Sequence, residues 1–279
     1  MAGKNEESQQ SGSSEDDEQQ SEAMERQSAS PDVVYEAIRL EGEEELQRPS
    51  AALFWSGLAA GLAMGFSFLV QALLQAAMPP APWRHAVAVL GYTVGFIFVV
   101  MGRQQLFTEN TLTPVLPLLR DVTKLPNVLR LWGIVLAANL LGGALFAWVL
   151  GHTELVGADV HAELRAMAHE VIAPRAAVIF LRAIYAGWLV ALMVWLLPGA
   201  ESARLAAIVV PTYLIALAHF AHSIAGSVDV FYLVLGAQAS WGDYIHFFVP
   251  TLLGNVLGGV TLVALLNHGQ VNAGEGGGG

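Results

Sequence analysis

The spacing of charges constrains this chain more than any other feature. Windows free of Asp, Glu, Lys and Arg run over 51–83, 85–102, 131–153, 183–200, 205–228 and 244–274, and the apolar character of the fourth extends back past Arg182 to Ala176. A helix needs about 20 apolar residues to cross a hydrocarbon core of about 30 Å. Six such windows predict six crossings, an all-α membrane protein, and both ends on one side of a lipid bilayer. Arg39, Arg48, Arg120, Lys124, Arg130 and Arg204 flank that side, against Arg84, Arg165 and Arg175 on the other. The excess of basic residues assigns the termini to the cytoplasm.

Charge elsewhere is concentrated at the front. Residues 1–50 hold 14 of the 24 acidic and 4 of the 13 basic side chains, so the net charge of −11 belongs to the tail. An acidic tail argues against nucleic acid as a partner. Residues 1–30, rich in Glu, Gln and Ser, are expected to be disordered. From Asp32 to Gln47 a charged helix is expected, with Val34 and Ile38 on one side, solvated or lying at the interface. The organisation expected is a tail over 1–49 with this helix, a membrane body over 50–268, and a flexible end over 269–279. Residues 158–172 carry Val160, Leu164, Met167 and Val171 at helical spacing among charges, as expected of an amphipathic surface helix. With no cysteine, a disulfide or a Cys-based metal site is excluded.

The body repeats itself. Asn139-Leu140-Leu141-Gly142-Gly143 and Asn255-Val256-Leu257-Gly258-Gly259 lie 116 positions apart. The same offset carries Thr108, in an interrupted part of the second window, to the neighbourhood of His222 in the fifth. Three segments per half is an odd number, so the second half enters the bilayer from the opposite face: an inverted 3+3 repeat. The Asn and Gly residues read as helix packing and cross-helix hydrogen bonding, as does the stripe Gly57, Gly61, Gly65.

Both related places are poor continuous helix. The second window runs into the polar stretch from Arg103 to Pro114, and the fifth carries Pro211 and then His219 to Ser227. A loop at membrane depth must be buried in protein or line a water-filled path. Each is therefore expected to be a buried break, and half-helix N-termini there would suit an anion. An ionisable residue at that depth is functional by default, which singles out His222; His219, one turn earlier, is expected to face elsewhere. Arg103 and Glu109 are expected to form an ion pair that fastens the first loop, since an unpaired buried carboxylate is costly. No Gly-x-Ser-x-Gly or His-Glu-x-x-His pattern occurs, so an intramembrane enzyme is disfavoured.

At these loops the chain resembles the formate/nitrite transporter family. The matching residues are Leu106-Phe107-Thr108, His222-Ser223-Ile224-Ala225, Phe180-Leu181-Arg182 with Trp188-Leu189-Val190, and Gly254 to Gly259. The run Arg103 to Thr111 and Gly226-Ser227-Val228 look like its YfdC-like branch. The resemblance covers roughly residues 50–268. It implies an aquaporin-like protomer in a homopentamer of the bacterial inner membrane, with a pore for small monovalent anions of weak acids and no cofactor. His222 would be the central histidine, Thr108 the loop threonine beside it, Ser223 a neighbour on the path, and Leu106, Phe107 and Phe96 constriction residues. Arg103, Glu109, Asn139, Asn255 and Arg182 would serve structure or gating. The chain departs from the family at Gly187, where many members carry Asn. A neutral-solute channel is the nearest rival, although Asn139 and Asn255 lack the Pro of paired Asn-Pro-Ala boxes. An occluded protein without transport is the other.

Overall fold

The computed structural model describes residues 30–200, 202–261 and 269, and the regular structure among them is all helical. The readings of the N-terminal tail, of the end of the sixth window and of the C-terminal tail lie almost wholly outside these residues. The first helix, α1 (Pro31–Gln47), starts with Pro at its first position, where the missing N–H costs nothing. Among the described residues, four helical stretches are long and apolar enough to cross a membrane: Ser50–Ala77, Arg84–Met101, Val122–His152 and Ala176–Gly199. They contain α2 (Ser50–Ala77), α3 (Arg84–Ala88) with α4 (Thr93–Met101), α6 (Leu125–His152) and α8 (Ala176–Leu196).

The expected breaks are present. The second window leaves α4 at Met101 and resumes as a single 3₁₀ turn, Glu109–Thr111, and α5 (Val115–Arg120). The fifth is split into α9 (Arg204–Leu217) and α10 (Ala225–Leu235). The sixth forms α11 (Trp241–Gly259), opened by a capping box between Ser240 and Asp243. The amphipathic helix α7 (Ala158–Ile172) buries Val160, Leu164 and Met167 against Phe231, Tyr232 and their neighbours. It is pinned by the ion pair of Glu163 with Arg84 at 2.6 Å.

Two helix pairs form the frame, α2 with α6 and α8 with α11. Each depends on a glycine set against a carbonyl. A Cβ on Gly61 would stand 2.1 Å from the Asn139 carbonyl oxygen, and one on Gly187 would stand 2.2 Å from that of Asn255. This is the physical reason for Gly187: at this backbone separation no side chain fits, Asn included.

The helix α1 departs from the expectation of a solvated element. Val34, Ile38 and Leu46 are buried, joined by Tyr35 and Glu45. Lys124 pairs with Glu43, and Arg130 donates to the carbonyls of Leu46 (2.8 Å) and Arg48 (3.2 Å), where a helix C-terminus favours a cation. The helix is docked on the body, and four of the basic residues assigned to one face, Arg39, Arg120, Lys124 and Arg130, bond to its residues.

Candidate functional site: the junction of two broken helices

Both breaks are made the same way. Arg103 has φ 50° and His219 has φ 53°, left-handed values that cost a non-glycine residue roughly 1–2 kcal/mol. At each, the next N–H reaches back five residues, from Gln104 to Val99 (3.0 Å) and from Phe220 to Ile215 (2.9 Å). The left-handed residue itself bonds three residues back, to Val100 and Ala216 respectively, which completes a Schellman ending.

An asparagine then clamps each loop. The Asn139 Oδ1 accepts from the Phe107 N–H (2.9 Å), and its Nδ2 donates to the carbonyls of Gly57 (2.7 Å) and Gln105 (2.9 Å). The Asn255 Oδ1 accepts from the Ser223 N–H (2.8 Å), and its Nδ2 donates to Ala183 (2.8 Å) and Ala221 (2.9 Å). The loop partners, like the two left-handed residues, are 116 positions apart. Backbone groups freed by the breaks are thereby satisfied inside the protein, as a loop at this depth requires.

The two loops meet at one contact. The His222 Nε2 lies 2.8 Å from the Thr108 Oγ1, and the Ala225 N–H donates to the His222 Nδ1 at 3.1 Å. A backbone N–H can only donate, so Nδ1 is the unprotonated nitrogen and the neutral ring carries its proton on Nε2. That proton is donated to Thr108, whose own hydroxyl hydrogen is left free for another acceptor. The Phe96 ring stands edge-on to His222 at 5.1 Å and is wholly buried.

His222 also forms part of the wall of a cavity of about 370 Å³, together with Tyr92, Arg182, His219 and Asp229. His219 is therefore not turned away, as expected, but lines the same cavity, where its ring stacks on His85 at 4.6 Å. The left-handed backbone swings it there. Arg182 stands in the cavity wall. Leu106 is fully buried in the apolar core. Phe107 packs on Trp132 at 5.8 Å and borders an apolar groove between α6 and α11, apart from the cavity that holds His222. The Ser223 Oγ is buried without a hydrogen-bond partner among the described residues.

The expected ion pair between Arg103 and Glu109 is not formed. Arg103 is exposed at its turn, and the Glu109 Oε1 is buried without a hydrogen-bond partner among the described residues. What fastens the first loop is Glu45 of α1. Its carboxylate accepts from the Gln105 Nε2 (2.8 Å) and the Thr113 Oγ1 (2.6 Å), while the Gln105 Oε1 accepts from the Asn110 Nδ2 (2.9 Å). Burial pushes the Glu45 carboxyl up to about 7, although both hydrogen bonds pull it down. A signal for it was present in the sequence: Glu45 falls at helical spacing with Val34, Ile38 and Gly42, an acid on the apolar face. Asp229 had one too, as the one charge in an otherwise apolar run.

Known proteins agree with this architecture. The formate/nitrite transporter family matches residues 32–269. The chain is 41% identical over 242 residues to inner membrane protein YfdC of Escherichia coli, covering 85% of this chain and 78% of that one. It is 26% identical over 242 residues to the formate channel FocA of Haemophilus influenzae, covering 77% and 85%. Among solved structures, an FNT family ion channel superposes with a TM-score of 0.77 at 19% identity, covering 85% of this chain and 98% of that one. A pentameric formate channel with formate bound gives 0.66 at 17%, covering 80% and 98%. Helices of membrane-crossing length, loops clamped in its interior and these matches lead to one conclusion: the chain is a membrane protein that belongs to the formate/nitrite transporter family.

Proposed function

We propose that the chain is a channel or transporter for small monovalent anions of weak acids, of the formate and nitrite type, with proton linkage through His222. The observation that carries this reading is the His222–Thr108 contact at 2.8 Å, between two broken helices, with His222 in the wall of a cavity. A bare anion loses its hydration in a narrow apolar passage at large cost. A histidine–threonine pair that presents a hydroxyl proton offsets part of that cost by hydrogen bonding, and in the acidic state the ring supplies a full proton to the anion, which becomes the neutral weak acid. Phe96 and Leu106 fit the apolar constriction that strips water from the solute. The unpartnered Ser223 hydroxyl adds a donor beside the histidine.

The same reading takes the body as six spans in an inverted 3+3, aquaporin-like arrangement. It takes both termini as cytoplasmic, with α1 at the cytoplasmic mouth, and the working unit as a homopentamer. The recurrence of the clamp and the left-handed turn at an offset of 116 supports the repeat; the bound formate and five subunits named for one structural relative support cargo and assembly. The test is uptake of labelled formate, nitrite, acetate and glycerol into proteoliposomes. Flux of the three acids above that of protein-free vesicles, with none of glycerol, is expected. Glycerol flux alone would make the chain a neutral-solute channel, and no flux of any would make it an occluded membrane protein.

A further inference from the structure

The cavity outside His222 is not built as a simple anion trap. Every residue of α10 from Ala225 to Val234 is buried except Asp229, the one charged residue of that helix, and Asp229 lines the cavity. Among the described residues no cation lies within ion-pair distance of its carboxylate. Arg182 and Glu170 also face this space and balance each other in charge. The other titratable groups around it are His85, His219 and His222 and the phenol of Tyr92; α11 contributes Tyr244, whose hydroxyl is engaged with Ser227. With the histidines neutral, ionised Asp229 leaves the cavity one negative charge in excess. A carboxylate in a partly dehydrated cavity repels an anion far more strongly than it would in water.

We propose that Asp229 is a specificity-determining residue of the pathway, facing the solute cavity unpaired so that it turns away permanent anions and admits weak acids together with their proton. The inference rests on the weak-acid reading above. An ionised Asp229 opposes nitrate and formate alike at the cavity, but formate has a second route in, as formic acid. When Asp229 takes a proton from the outer solution, the repulsion disappears and its hydroxyl donates to a solute oxygen.

The test compares labelled formate with labelled nitrate, a monovalent anion that stays ionised at any accessible pH. Influx is measured into proteoliposomes of the full chain between external pH 5 and 8, less that of protein-free vesicles. In the wild type, formate influx should exceed nitrate influx at pH 8 at least tenfold, and nitrate influx should rise on acidification. Asp229→Asn should raise nitrate influx at pH 8 at least tenfold and flatten its pH profile, and Asp229→Glu should retain the wild-type discrimination. Wild-type nitrate influx equal to that of formate at pH 8 would overturn the proposal without any variant. So would an unchanged formate-to-nitrate ratio in assembled Asp229→Asn, or in Asp229→Ser should the Asn variant not assemble. A wild type that carries formate with discrimination insensitive to Asp229 sinks this inference alone. A wild type that carries no weak acid at any pH sinks the proposed function with it.

Discussion

The loop after α4 and the loop after α9 are built on one plan and used differently. Each leaves its helix through a left-handed residue and is held by an asparagine with three hydrogen bonds. The first loop is then braced from outside by α1, through Glu45 to Gln105 and Thr113, with the Trp132 Nε1 donating to the Asn110 carbonyl at 2.8 Å. Among the described residues the second has no such brace, and it borders the cavity with His219, Ala221 and His222. The shared clamp fixes the shape of a loop that lipid would not tolerate. The unshared part decides which loop is anchored and which one borders the cavity.

The clamp carries the largest expected effect. Asn139→Ala and Asn255→Ala each strand a loop N–H (Phe107 or Ser223) and a loop carbonyl (Gln105 or Ala221) in the interior, at roughly 1–3 kcal/mol per buried group. Both variants should lose assembly on size analysis with mass measurement, and to a similar degree. Loss confined to one half would break the equivalence of the two loops.

Bracing comes next. Glu45→Ala removes the acceptor for two buried donors, worth about 1–3 kcal/mol for each donor left unpaired. Hydrogen exchange should quicken over 104–113 and stay unchanged over 218–224; equal quickening of both loops would mean that α1 braces the whole body.

A pH effect sharpens the same point. The Glu45 carboxyl is raised from its ordinary range to about 7, so the docked state prefers it protonated. That contribution is complete below the unfolded pKa of about 4.3 and is lost as pH rises through about 7. Glu45→Gln keeps a donor and an acceptor for Thr113 and Gln105 without a titrating group. The thermal midpoint of the wild type should therefore fall between pH 6 and pH 8 by more than that of Glu45→Gln. Identical pH dependence would mean that Glu45 does not titrate with docking of α1.

The smallest effect concerns the turns. Arg103 is exposed, so Arg103→Gly should stabilise by about 1 kcal/mol through relief of its left-handed backbone. His219→Gly gives up the stack on His85 and should gain less. Ala237, with φ 55° at the end of α10, is an exposed control expected to behave as Arg103 does. Thermal shifts order the three, and a larger gain at His219 than at Arg103 would show that the stack contributes nothing.

Much of the fold was legible because charge spacing and the 116-residue offset are properties of the chain read in one dimension. The breaks could be placed for the same reason, since polar residues at membrane depth have few solutions. The His222–Thr108 junction came from the repeat together with family resemblance. Partners chosen by side-chain direction were not legible. The left-handed turns at Arg103 and His219 reverse where those side chains point, so one expected ion pair vanished and one dismissed histidine entered the cavity. Phe107 shares its motif with Thr108, yet its ring packs on the opposite side against Trp132. The brace from Glu45 spans 60 residues to Gln105 and needs the tertiary structure to bring it there.

Proton linkage between His222 and the solute, as proposed above, is probed by His222→Asn. Formate influx into proteoliposomes is measured from pH 5 to pH 8 for wild type, His222→Asn and His219→Asn, with the oligomer verified for each. Asn retains a donor for Thr108 but does not titrate. His222→Asn should assemble and either lose flux or change its pH dependence, with a much smaller change in His219→Asn. An unchanged pH profile in assembled His222→Asn would contradict it and make this histidine a structural residue.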